Sequence, residues 1–110
     1  MTGKQVDLLT TLRIFYKISN NSFPVIIKYL PKFKKQYKKL PTAFQQQFDD
    51  RLRLFVVDPT DPSLRIHPLL GKFAGYWSMN INGDIRALYL IEADTVIVFA
   101  LIGTHSQLYG

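Results

Sequence analysis

The sequence contains no cysteine and only two histidines. The first absence excludes structural disulfides, thiolate zinc sites and cysteine nucleophiles, and it agrees with a cytoplasmic setting. The second means that any metal site would need carboxylates as well. Long apolar runs are lacking too: the longest, Val96 to Ile102, has seven residues, against the ~20 that a membrane-spanning helix requires. No membrane association is expected. Neither an internal repeat nor a low-complexity segment interrupts the chain, and no acidic residue occurs between Pro24 and Phe48.

What is present is an ordinary globular composition, 47% hydrophobic and 20% charged, in 110 residues. That length allows one core and one domain. Fourteen Lys and Arg against eight Asp and Glu give a net charge of +6, which favours a polyanionic partner without saying which.

Residues 1–23 carry Leu8, Leu12, Phe15 and Ile18 at helical spacing, while Thr10, Thr11 and Arg13 break any signal-peptide core. They are expected to form an N-terminal extension, helical or loosely ordered, joined through Ser19 to Ser22 to a domain over residues 24–110. Val25 to Leu30, rich in β-branched residues and closed by Pro31, reads as a strand. A helix from Pro31 then sets Phe33, Tyr37 and Leu40 on one face and Lys32, Lys34, Lys35, Lys38 and Lys39 elsewhere. A second helix is expected from Pro41 and Thr42, with Thr42 and Gln45 as a capping box, ending before Asp58-Pro59.

Beyond Gly71 the pattern becomes extended. Asn82-Gly83 between Tyr76 to Ile81 and Ile85 to Ile91 signals a hairpin, and Thr95 to Ile102 reads as a strand buried on both faces. The order strand, helix, helix, three strands gives an α+β fold, with a helical hairpin packed on a mostly antiparallel four-stranded sheet. A two-residue turn would set Arg86, Trp77 and Asp84 on one face and Asn80 on the other, and a bulged three-residue turn would reverse that relation. Arg86 interrupts an apolar strand, where a charge needs solvent, an acid or an anion.

Four segments in order, Arg65 to Lys72, Gly75 to Ser78, Gly83 to Tyr89 and Gly103 to Gly110, resemble the RelE/ParE superfamily of type II toxin-antitoxin toxins, in its YafQ-like branch. The resemblance covers roughly residues 25 to 110. It implies a RelE-like fold and metal-free cleavage of messenger RNA on the ribosome, with no cofactor. It further implies that His105 is the main proton-transfer group and that Tyr109 stacks on or orients the RNA. By the same resemblance His67 and Asp84 assist, and Arg86 holds the scissile phosphate. Asn80 departs from the pattern, standing where the best-studied type of sequence has a histidine.

The chemistry itself needs few groups. RNA carries its own nucleophile, the 2′-hydroxyl, so a base, an acid and cations for the phosphate suffice. His105, His67, Asp84, Arg86 and Arg65 provide these if they converge, leaving a 2′,3′-cyclic phosphate and a 5′-hydroxyl. Plainer readings stand beside each: His105 as a cap on the sheet, His67 pinning a loop, Asp84 as a turn residue and the lysines as a solvated face. The lysines otherwise suit phosphates of ribosomal RNA. An acidic or amphipathic antitoxin is the expected protein partner, with operator DNA reached only through it. Two rival functions remain: a ParE-like inhibitor of DNA gyrase, and an inactive antitoxin-binding module.

Overall fold

The computed structural model describes residues 12–18 and 21–110. Its order is β1 (Leu12–Ile18), β2 (Asn21–Tyr29), α1 (Pro31–Lys39), α2 (Thr42–Val57), β3 (His67–Pro68), β4 (Trp77–Asn80), β5 (Ile85–Ala93), β6 (Val96–Thr104) and α3 (His105–Tyr109). One sheet runs in the order β1-β2-β6-β5-β4-β3. Pairing is antiparallel throughout except between β2 and β6, which run parallel.

The four central strands, the two helices and their order match the α+β expectation, and β1 and β3 extend the sheet at either edge. Leu12–Ile18 is a strand and not part of a helix: each of its residues pairs with β2, from Leu12 opposite Ile27 to Ile18 opposite Asn21. Pairing along an open edge strand satisfies backbone groups that would otherwise be left unpaired, and that tertiary gain overrides the helical spacing. Of the expected linker, Asn21 and Ser22 belong to β2. Residues 1–11, with Leu8, lie outside the described residues, as do 19 and 20.

Helices α1 and α2 each end at a proline signal. Leu40, before Pro41, is extended at φ −72° and ψ 147°, as the residue preceding a proline prefers. The expected Thr42 capping box does not form, because Pro41 is the residue at the cap and no side chain bonds there. Gln45 turns back instead, its Nε2 donating to the Tyr37 carbonyl at 2.9 Å and the Leu40 carbonyl at 3.3 Å. It thus supplies a donor to the Leu40 carbonyl and a second one to the Tyr37 carbonyl, which also accepts from the Leu40 N–H at 3.0 Å.

Both helices cover one face of the sheet. Phe33 of α1 and Phe48 of α2 meet Phe99 of β6 at ring-centroid distances of 5.8 and 5.3 Å, and Phe55 meets Tyr89 at 5.3 Å. These rings are buried, and aromatic pairs of this kind add about 0.5–1.5 kcal/mol each beyond the area they bury. Arg51 and Gln47 of α2 tie the helical layer to the β4–β5 turn: Arg51 Nε donates to the Ile81 carbonyl at 3.2 Å, and Asn82 Nδ2 donates to Gln47 Oε1 at 2.7 Å. Among the described residues no helix is long and apolar enough to cross a membrane.

Candidate active site

Strand register decides which side chains share a surface. Met79 pairs with Ala87 and Asn80 with Arg86, and Ile81 N–H donates to the Ile85 carbonyl at 2.9 Å. The turn therefore has three residues, Asn82 to Asp84. Asn82 builds it, because its Oδ1 accepts from the N–H groups of both Asp84 and Ile85 at 2.8 Å. An Asn side chain mimicking a backbone turn in this way is common at such corners.

Residues paired across strands lie on one side of a sheet. Asn80, Arg86 and Gly103 form one row, and His67, Ser78, Leu88 and Leu101 the next, both on the face turned away from α1 and α2. Trp77 goes the other way, paired with Tyr89 and packed on the main core. Asn80 and Arg86 are therefore neighbours, and Trp77 belongs to the core.

The β5–β6 ladder ends at Ile85 opposite Thr104. Asp84 and His105 are the next residues outward on those adjacent strands, and both are exposed. His105 opens α3, whose start is held by a full capping box: Gln107 N–H donates to Thr104 Oγ1 at 3.1 Å, and Thr104 N–H donates to Gln107 Oε1 at 2.8 Å. Thr104 does the capping, so His105 is not needed for it. An added Cβ on Gly103 would lie 2.8 Å from Gln107 Oε1 and 3.6 Å from Leu108 Cδ2, so α3 folds back over the row that holds Arg86. On α3 the His105 and Tyr109 rings are 4.7 Å apart, as an i, i+4 pair permits.

His67 is exposed, and its Nδ1 lies 2.8 Å from the Arg65 carbonyl. A carbonyl only accepts, so Nδ1 carries the proton and Nε2 is the free acceptor of the neutral ring. Arg65 itself is left-handed, at φ 48° and ψ 42°, the one non-glycine residue with positive φ among those described. This conformation costs about 1–2 kcal/mol for an L-residue. Arg86 is half-buried, and its Nη1 donates to the carbonyls of Asn82 at 2.9 Å and Ile85 at 3.2 Å. Its Nε and Nη2 take no part in those two bonds.

The lysines lie elsewhere. Phe33 anchors α1 on the opposite face, leaving Lys32, Lys35, Lys38 and Lys39 exposed and Lys34 half-buried on the helical layer. They do not share the surface of Arg86 and His67. No cluster of carboxylates and histidines suited to a metal occurs among the described residues.

Sequence reasoning passed over α3 and two rings near it. Phe73 lies edge-on to Tyr109 at 5.6 Å and to Tyr76 at 5.7 Å. The Thr104-x-x-Gln107 spacing carried the signal for α3, whereas nothing in the spacing of Phe73 links it to Tyr109.

Comparison with curated protein sequences gives no match. Among solved structures, YafQ from E. coli strain BL21(DE3) is similar, with a TM-score of 0.67 at 23% identity over 76% of this chain and 97% of that one. The E. coli DinJ-YafQ toxin-antitoxin complex gives 0.64 at 23% identity, covering 76% and 96%. A YoeB/ParE toxin from Agrobacterium tumefaciens gives 0.61 at 19% identity, covering 72% and 96%. At these identities the likeness is one of fold. Residues 25–110 match the model of the family described as bacterial toxin of type II toxin-antitoxin system, YafQ, and the chain belongs to that family.

Proposed function

We propose that this toxin is an endoribonuclease that cuts ribosome-bound messenger RNA in the cytoplasm, by proton transfer and without a metal. The observation that carries the reading is that Arg86 and His67 lie in adjacent rows of one sheet face, with Asp84 and His105 leaving the end of the adjoining ladder. In-line attack by a 2′-hydroxyl needs an acceptor for its proton, a donor for the departing 5′-oxygen and cations on the phosphate between them. Neutral His67 offers Nε2 as acceptor, since Nδ1 is committed to Arg65. His105, exposed at the start of α3 and backed by Tyr109, is the main proton-transfer group and protonates the leaving oxygen. Arg86 turns its free N–H groups to the phosphate, Arg65 adds a second cation, Asp84 orients His105, and Tyr109 stacks on a base.

The lysines of α1 serve a different task. Away from the reacting groups, they bind ribosomal RNA phosphates and give affinity without sequence choice. A cognate antitoxin, as DinJ is found with YafQ in E. coli, holds the toxin inactive by covering the face that carries Arg86 and His67, and operator DNA is reached only through it. The test is primer extension on mRNA from a translating extract, with end-group analysis and a parallel gyrase supercoiling assay. Cuts in the A site that leave a 2′,3′-cyclic phosphate are expected, falling ~10² to 10⁴-fold in His105→Ala, with supercoiling unaffected. Undiminished cleavage or growth arrest by His105→Ala would overturn the assignment.

A further inference from the structure

Among the described side chains, three aromatic rings stand outside the main core. Phe73, Tyr76 and Tyr109 are each half-buried and absent from the cluster that contains Phe33, Phe48 and Phe99. They meet in sequence, Tyr76 to Phe73 at 5.7 Å and Phe73 to Tyr109 at 5.6 Å, with interplanar angles of 86° and 83°. Tyr109 in turn touches His105 at 4.7 Å. Perpendicular rings make a corner, and a flat planar group fits against one ring's face while its edge meets the other.

The loop that carries this corner is held by its backbone. Gly71 and Gly75 bracket it at φ 67° and 95°, values that side-chain-bearing residues adopt only under strain. Neither glycine has a neighbour within 4 Å of an added Cβ, so conformation and not crowding calls for glycine there. A short 3₁₀ turn over Gly71–Phe73 then presents Lys72, exposed, with its ammonium 5.4 Å from the Phe73 ring centroid. A ring corner, an adjacent cation and a proton-transfer histidine thus lie side by side.

We propose that Phe73 and Lys72 form, with Tyr109, a nucleotide subsite that takes one unpaired base beside the cleaved bond. The base stacks at the Phe73–Tyr109 corner, Lys72 meets the adjoining phosphate, and the loop sets which nucleotide is accepted next to the cut. The subsite rests on the ribonuclease reading for its place in the reaction, while its binding is measurable without cleavage.

The experiment compares two labelled single-stranded RNAs blocked against cleavage by 2′-O-methyl groups, one carrying all its bases and one abasic at successive positions. Anisotropy titrations of the full chain give both affinities. The wild-type protein is expected to prefer the base-carrying strand about ten-fold, a typical size for one aromatic stack. Phe73→Leu keeps the bulk but loses the ring, and it should erase the preference while its thermal midpoint stays near wild type. Phe73→Tyr should keep it, and Lys72→Gln should weaken both strands together. A folded Phe73→Leu protein with an unchanged preference, or a wild type with none, overturns the subsite. Primer extension on the same variants separates the two ideas. A wild type that cuts no RNA refutes the ribonuclease reading whatever the titrations give. One that cuts with the same nucleotide preference in Phe73→Leu refutes the subsite alone.

Discussion

Arg86 braces a strand turn while standing in the candidate active site. Its Nη1 donates to the Asn82 carbonyl of the turn and to the Ile85 carbonyl at the start of β5, and its row on the sheet is the one that α3 crosses at Gly103. Arg86→Gln is expected to lower stability by about 1–2 kcal/mol, since neutral hydrogen bonds contribute ~1 kcal/mol each and those to a charged group somewhat more. Urea unfolding reads that loss. Cleavage should fall much further than the folded fraction does, because Arg65 alone is then left against the phosphate in the proposed mechanism; activity that tracks stability alone would restrict Arg86 to the turn. The charge of Arg86 was visible in the sequence as an interruption of an apolar strand. Its bonds to the turn were not, because they depend on a register that the Asn82 side chain sets.

At the scale of elements, legibility followed length. The nine residues of α1 and the nine of β6 each show a full pattern and were readable within one or two residues of their ends. By contrast, the five residues of α3 and the two of β3 are too short to show a period. The same Thr-x-x-Gln spacing occurs at Thr42 and at Thr104, yet only Thr104 caps its helix, since Pro41 takes the cap of α2 and Gln45 reaches the end of α1. Local spacing cannot tell these two apart; the neighbouring proline and the carbonyls of α1 do. Thr104→Ala is expected to cost about 1 kcal/mol in denaturant unfolding. It should also lower cleavage more than Ser106→Ala, an exposed change on the same helix, because His105 is aimed by the cap. Gly103→Ala should resemble it, its new Cβ displacing Gln107 from the box.

Over the whole molecule the sheet keeps two surfaces apart, the lysines of α1 on the helical side and the candidate active groups on the other. Changing Lys32, Lys35, Lys38 and Lys39 to Gln should weaken ribosome binding and flatten its dependence on salt, leaving the position of any cut unchanged. Stability should also respond to alkali. Burial raises the phenol pKa of Tyr29, Tyr37 and Tyr89, and the Asp49 carboxylate raises the first two further. The native state then retains protons that the unfolded chain releases above pH ~10, so this contribution is intact below that pH and is lost as pH rises through it. Urea midpoints measured from neutral pH to pH ~11 should fall, and fall less steeply in Tyr89→Phe.

The position of β6 has a consequence for how the toxin comes into being. It comes last in sequence among the described strands, yet it stands between β2 and β5 and supplies the parallel partner of one and the antiparallel partner of the other. Until it emerges from the ribosome the earlier strands form two unconnected ribbons, and the helices lack Phe99 to pack on. Pairings this distant in sequence close late in folding. His105 follows β6 directly, so it takes its place in the candidate site only as the sheet is completed.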